Sequence, residues 1–269
     1  MNPVPQMNPV PHWSVRQRLS QGDTVYGVMA AEFFTPGFCR IAGNAGAEFV
    51  IFDMEHGGVG IDVLKAQMSF ARGAGVTPVV RVPGIAYHLI APVLDGGAMG
   101  IMAPMVETRE QAENLATWCR YSPEGVRGLG FGVAHDDYRG GDVVEKMKEE
   151  NERTLVIALI ETAKGIMNAE EILSVAGIDV GWLGHYDLSN TMGITAQFNR
   201  PEFNAAVEKL LGACKRHQKA AGFLATSVGQ AREWRAKGVR CLCYGTDIGV
   251  FQSALSEALQ TLKADDSHR

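Results

Sequence analysis

The sequence predicts a single α/β domain, a closed (β/α)8 barrel of the TIM-barrel type, and three observations carry that expectation. Eight short apolar or β-branched runs recur along the chain, and segments with helical spacing separate them. The length of 269 residues suits one barrel of about 250 residues as well as it suits two domains of about 150.

The runs are Thr24–Ala30, Glu48–Asp53, Thr77–Val82, Met99–Pro104, Leu155–Ile160, Val180–Leu183, Gly222–Ala225 and Cys241–Tyr244. Each has the length and residue content of a strand. Between the sixth and eighth runs, Phe203, Val207, Leu210, Leu211 and Cys214 fall on one face of a helix. Val250, Phe251, Ala254, Leu255, Ala258, Leu259 and Leu262 repeat that spacing near the C-terminus. Strands alternating with helices argue for a parallel sheet. The competing architecture, an open doubly wound sheet, calls for G-x-G-x-x-G after its first strand. Here the glycines cluster instead as Gly128-Leu-Gly130-Phe-Gly132, inside one long connection, Tyr121–Asn151, with a helix expected near Val143–Glu150. Ahead of the barrel, Met1-Asn-Pro-Val-Pro5 repeats as Met7-Asn-Pro-Val-Pro11. Prolines at this density join neither a helix nor a central strand. Residues 1–20 are therefore read as a proline-rich N-terminal extension, 21–264 as the barrel and 265–269 as a tail.

Composition narrows the function classes. With 46% hydrophobic residues and a net charge of −5 the chain is not disordered, and no run approaches the roughly 18 apolar residues of a membrane span. The balance of 25 basic against 30 acidic residues, with no long Lys/Arg run, argues against nucleic acid as a partner. Five irregularly spaced cysteines and no secretory signal point to a reduced, cytoplasmic protein. Cys241 and Cys243 share a strand face, as small core residues or as a metal pair.

In such barrels the active site lies at the C-terminal ends of the strands. The polar residues there are Asp53, Glu55 and His56 after the second run, Arg81 in the third, Glu161 after the fifth and Gly184-His185-Tyr186-Asp187 after the sixth. Thr226 and Ser227 follow the seventh and Thr246 and Asp247 the eighth. Glu161 and Asp187 emerge from adjacent strands, and two carboxylates side by side suit a hard divalent cation such as Mg2+ or Mn2+. The alternative is an ion pair, with Lys164 as the rival partner of Glu161. Asp53 is placed to orient His56, a general base at neutral pH, or His56 is a surface residue. Arg81 offers charge to an oxyanion, or pairs with Asp53, Glu55 or Glu107. His135-Asp136-Asp137 is a weaker metal candidate in the long connection, and His88 is read as structural.

Together these segments resemble a known family. Phe52-Asp-Met-Glu-His-Gly57, Arg81-Val-Pro-Gly84, Leu94 to Thr108, Gly125-Val-Arg-Gly128, Ile160-Glu-Thr162 and Leu183-Gly-His-Tyr-Asp-Leu-Ser189 with Met192-Gly193 are similar, in order, to the HpcH/HpaI aldolase family. The resemblance covers about residues 24 to 260. It implies a metal-dependent aldolase that reversibly cleaves a 4-hydroxy-2-oxo acid to pyruvate and an aldehyde through a metal-stabilised enolate. It implies a divalent metal ion (Mg2+ or Mn2+, with Co2+ a further option) on Glu161 and Asp187. It gives His56, supported by Asp53, the acid–base steps, Arg81 the keto oxygen, and the backbone amides of Gly184, His185, Tyr186 and Asp187 the carboxylate. It also implies a homo-oligomer, commonly a hexamer, with an exchanged C-terminal helix.

One departure stands beside the proposed metal. Where family members carry a Gly-Pro-Ala-Asp-like sequence, this chain has His185 and Tyr186, which puts the substrate preference in question. Competing readings are a decarboxylase or acyl-CoA lyase on the same scaffold, a Schiff-base aldolase using Lys164, and a non-catalytic 2-oxo acid binding barrel. An aldehyde bearing a carboxylate would want a second cation, for which Arg127 is a candidate. The long connection after the fourth strand is the expected seat of specificity.

Overall fold

A computed structural model describes residues 14–266; the duplicated Met-Asn-Pro-Val-Pro start lies outside them. The strands are β1 Val25–Ala30, β2 Phe49–Asp53, β3 Thr77–Arg81, β4 Gly100–Ala103, β5 Leu155–Ile160, β6 Val180–Leu183, β7 Ala220–Ala225 and β8 Val239–Thr246. They pair in sequence order, all parallel, and β1 closes on β8. Every run expected from the sequence overlaps one strand, though β7 and β8 each begin two residues before their runs and β8 ends two residues after. The helices are α1 Ser14–Gln21, α2 Pro36–Asn44, α3 Ile61–Gly73, α4 Tyr87–Asp95, α5 Arg109–Trp118, α6 Val143–Arg153, α7 Ala163–Met167, α8 Ala169–Leu173, α9 His185–Thr191, α10 Pro201–Arg216, α11 Val228–Ala236 and α12 Asp247–Asp266.

Period-two alternation divides the core into two layers. Phe49, Ile51, Val79, Leu155, Ile157, Leu159, Val180, Trp182, Cys241 and Cys243 fill the barrel interior. Their alternates Val50, Phe52, Val80, Val156, Ala158 and Ile160 face the helices. Two large interior rings are matched to glycines on neighbouring strands: a Cβ at Gly27 would stand 2.4 Å from the Phe49 ring, and one at Gly222 would stand 2.2 Å from Trp182. Cys241 and Cys243 are therefore packing residues, and burial pushes the Cys241 thiol up to about 12.

Of the segment 1–20, residues 14–20 are described. From Ser14 the chain forms α1, whose Val15 and Leu19 are buried with the interior layer. Arg16 ties this helix to Asp179 (2.9 Å) and to the carbonyls of Asn151 (3.0 Å) and Glu152 (2.7 Å). Residues 14–20 thus pack with the barrel, because a helix is needed to cover its apolar lower end. At the other terminus α12 runs on to Asp266, into the segment read as a tail.

The long connection also departs from expectation. It follows α5, not a strand, so the chain enters it at the end of the barrel opposite the strand C-termini. Arg72, in the last turn of α3, donates to the carbonyls of Ala134 (3.3 Å) and His135 (2.8 Å) and pairs with Asp137 (2.7 Å). Arg127, its side chain 1% exposed, pairs with Asp95 at the end of α4 (2.6 Å) and lies over the Tyr121 ring. Arg127 is a packing cation and not a pocket cation for an aldehyde carboxylate. Within one chain, the hydrogen bonds and ion pairs of this connection among the described residues do not reach Asp53, Arg81, Glu161 or Asp187. His135, Asp136 and Asp137 have protein partners in Gly130 O, Lys146 and Arg72, which answers the metal reading of that triplet. His88 is exposed on α4.

Candidate active site

Strand alternation aims three polar side chains into the mouth of the barrel. Asp53 continues the inward series Phe49, Ile51; Arg81 continues Val79; Glu161 continues Leu155, Ile157, Leu159. Asp53 and Arg81 are direct register partners across β2 and β3. The Arg81 Nε and Nη2 donate to Asp53 Oδ1 (2.8 Å) and Oδ2 (2.6 Å), a bidentate pair. Burial alone would lower the arginine pKa, but the Asp53 bonds outweigh it and the guanidinium stays charged. Nη1 has no hydrogen-bond partner among the described residues and is the arm left for a ligand.

Asp53 Oδ1 also accepts the backbone N–H groups of Glu55 (3.0 Å) and His56 (3.3 Å), an Asx-type turn that ends β2. Gly57 completes it, since a Cβ there would lie 2.3 Å from the Asp53 carbonyl oxygen. The expected Asp53–His56 ring pair is not what forms. Asp53 holds the His56 backbone and is saturated by Arg81, whereas the imidazole is 66% exposed with its Nε2 3.9 Å from Glu55 Oε2. Both Asp53 oxygens are already engaged, Oδ1 by Arg81 Nε and the two turn amides and Oδ2 by Arg81 Nη2, and the ring lies beside Glu55 instead.

Glu161 is 3% exposed. Its Oε1 accepts from the Met105 N–H at 2.8 Å, and Met105 adopts a φ of 53°, a left-handed conformation unusual for a methionine. Oε2 lies against Gly184, where a Cβ would stand only 2.4 Å away. Burial pushes the Glu161 carboxyl up to about 7; Glu55 and Asp187 add to this, while the Met105 N–H and Arg81 oppose it. Glu55, a rim residue given no catalytic or metal role from the sequence, belongs to the same cluster: its Oε2 is 3.4 Å from Arg81 Nε, and burial raises its pKa. Its position two residues beyond β2 was the available signal.

The remaining candidates separate. Lys164 pairs with Glu107 (3.0 Å) and not with Glu161, so the rival ion pair does not form and the one lysine considered for a Schiff base is engaged elsewhere. The His185 ring packs against Phe223 (5.0 Å), Phe198 (5.2 Å) and Tyr186 (4.6 Å), and burial lowers its pKa. It sits in an aromatic cluster rather than over the carboxylates, and Tyr186 is exposed. The backbone N–H groups of His185, Tyr186 and Asp187 open α9 and have no partner within their own helix. Asp247 is a clamp: its carboxylate accepts from the N–H groups of Ala31 (3.1 Å), Glu32 (3.0 Å) and Phe33 (2.6 Å) and fixes the loop after β1. Thr226 and Ser227 serve the start of α11, where the Ser227 side chain accepts from Gln230 N.

Among the described residues no group of three or more His, Cys, Asp or Glu side chains converges as a ready metal cage. The donor set nevertheless fits a hard cation. Glu161, Glu55 and Asp187 press on one another electrostatically, and the Arg81 guanidinium beside them is committed to Asp53. Gly184 leaves the space that Glu161 Oε2 occupies. Mg2+-type ions are held by one or two carboxylates, with water or substrate completing the shell.

A closed parallel barrel with buried acidic residues at the C-terminal ends of its strands has the site of a barrel enzyme. The chain belongs to the HpcH/HpaI aldolase/citrate lyase family, whose model matches residues 30–254. It is similar to a hydroxypyruvate/pyruvate aldolase of Roseobacter denitrificans, 32% identical over 90% of this chain and 94% of that one. It is also similar to a 5-keto-4-deoxy-D-glucarate aldolase of Shigella dysenteriae, 31% identical over 83% and 87%. Among solved structures, an HpcH/HpaI aldolase from Desulfitobacterium hafniense superposes with a TM-score of 0.87 at 29% identity, covering 93% of this chain and 96% of that one. The protein is a carbon–carbon lyase of the aldolase type. No helix among the described residues is long and apolar enough to cross a membrane.

Proposed function

We propose that the protein is a metal-dependent aldolase that cleaves a 4-hydroxy-2-oxo acid reversibly to pyruvate and an aldehyde. The convergence of Glu161 and Asp187 beside Arg81 on one rim carries this reading, and the aldolase relatives support it. Glu161 and Asp187 are the residues that would hold a divalent ion, Mg2+ or Mn2+. When bound, the ion withdraws electrons from the 2-oxo group and so stabilises negative charge at that oxygen. The chain's own residues do the rest. The Arg81 Nη1 donates to the keto oxygen, with Asp53 fixing the plane of the guanidinium. The first-turn amides of α9 receive the pyruvate carboxylate. His56, on the turn after β2, moves the proton at the C4 hydroxyl as the C3–C4 bond breaks or forms. Glu55, 3.9 Å from the imidazole, is its nearest acidic neighbour, and Asp53 acts on Arg81.

This reading also covers the assembly. The apolar positions Val250, Phe251, Leu255, Leu259 and Leu262 of α12 are all exposed in the single chain. Only the start of the helix packs, through Phe251 edge-on to Phe33 at 5.9 Å. A second copy covering that stripe accounts for it, in line with an exchanged helix in a homo-oligomer.

The test is steady-state cleavage and condensation with pyruvate and a panel of aldehydes, before and after chelation. Glu161→Gln and Asp187→Asn are expected to lower metal-dependent turnover by about a thousandfold or more. Wild-type rates in either variant, or in chelated enzyme, would refute the assignment.

A further inference from the structure

The end of the barrel opposite the catalytic mouth carries a cavity that the aldolase reaction does not use. It has a volume of about 350 Å3 and lies where α10 ends and β7 and β8 begin. Lys215, Lys219, Lys237 and Arg240 line it with Gln218 and Gly238, and no carboxylate is among the lining residues. The charge is local. Between residues 208 and 240 there are eight lysines and arginines against two glutamates, in a chain whose net charge is −5. No single run is long enough to announce this, because the cations come from two successive βα units.

Their partners leave positive charge over. Lys237 pairs with Glu233 at 2.7 Å, and Arg240 reaches the Leu19 carbonyl. The Lys215 and Lys219 ammonium groups have no hydrogen bond or ion pair among the described residues. Lys219 is only partly exposed, and burial lowers its pKa while Arg16 opposes its charge and Asp179 favours it. A half-buried ammonium grouped with three more cations around a concavity is costly unless an anion offsets it.

We propose that this cavity binds a compact phosphorylated small molecule. Three lysines and an arginine around one concavity supply point charges and a guanidinium fork, both of which suit the multiply charged oxygens of a phosphate group. The volume lies at the small end of ligand sites, which fits one phosphate or diphosphate group with a short body. The site sits about one strand length, roughly 20 Å, from Glu161, so its ligand is not a substrate of the mouth.

Isothermal titration of the full chain with inorganic pyrophosphate tests this, in EDTA so that the carboxylate site holds no metal and at physiological ionic strength. One saturable site per subunit is expected. Lys215→Gln and Lys219→Gln are each expected to weaken it about tenfold, whereas Lys148→Gln, exposed on α6, leaves it unchanged. Lys215 is exposed, so its variant keeps the test valid if Lys219→Gln fails to fold. The absence of saturable binding, an equal loss in Lys148→Gln, or citrate binding as tightly as pyrophosphate would overturn the proposal.

Discussion

A methyl group at Gly184 would stand 2.4 Å from Glu161 Oε2 and 2.5 Å from its Cβ. Glycine is needed there because the carboxylate occupies the side-chain space. Gly184→Ala is therefore expected to swing Glu161 off its Met105 bond and weaken Mn2+ binding roughly 10- to 100-fold, while the thermal midpoint falls only a few degrees. Titration of Mn2+ followed by its paramagnetic signal measures this, and unchanged affinity would remove Glu161 from the donor set. At this scale the sequence was informative where strand parity applied. Asp53, Arg81 and Glu161 each continue an inward apolar series, so counting by twos from Phe49, Val79 and Leu155 places them in the mouth. It failed at turns, where no period operates. The chain after Asp53 bends by hydrogen bonds to its carboxylate, and that bend separates the His56 ring from the group expected to orient it.

Elements were legible when their own residues made the pattern. All eight strands and α10 follow from apolar spacing, and Phe203, Val207, Leu210 and Cys214 are buried as that spacing requires. Helix α1 was hidden because eight residues following a proline-rich repeat offer little periodicity, and only the need to close the barrel end explains it. The long connection was counted from the fourth strand, whereas α5 intervenes and delivers the chain to the opposite end of the barrel. Its own stability has a pH signature. Asp136, 1% exposed, is held at about 2 although burial alone would raise it, because Lys146 (2.7 Å) and the Gly132 N–H (2.8 Å) bind its carboxylate. Because the folded pKa lies below the unfolded one, this pair contributes stability fully above about pH 4. That contribution, on the order of 2 kcal/mol, is lost as the pH falls toward 2. Thermal midpoints of wild type and Asp136→Asn should therefore converge over that interval, and a gap that stays constant would contradict the pairing. Helix α12 makes a separate prediction. Leu255→Asp with Leu259→Asp places charge in the exposed apolar stripe and, on the proposed exchange of α12 between copies, should lower the mass seen in light scattering. An unchanged mass would contradict that role of α12.

At the scale of the molecule, charge is segregated along the barrel axis. Carboxylates gather at the mouth around Glu161, and lysines gather at the far end between α10 and α11. The overall acidic balance read from composition conceals both. The central claim concerns the mouth: Glu161 and Asp187 hold a divalent ion that lets the site form an enolate of pyruvate. Exchange of the pyruvate methyl protons for deuterium, followed by proton NMR without any aldehyde, tests it most directly. The account predicts exchange that requires added Mg2+ or Mn2+, stops with EDTA and is lost in Glu161→Gln. Exchange at the wild-type rate in chelated enzyme or in that variant, or its absence in the metal-loaded protein, would contradict it.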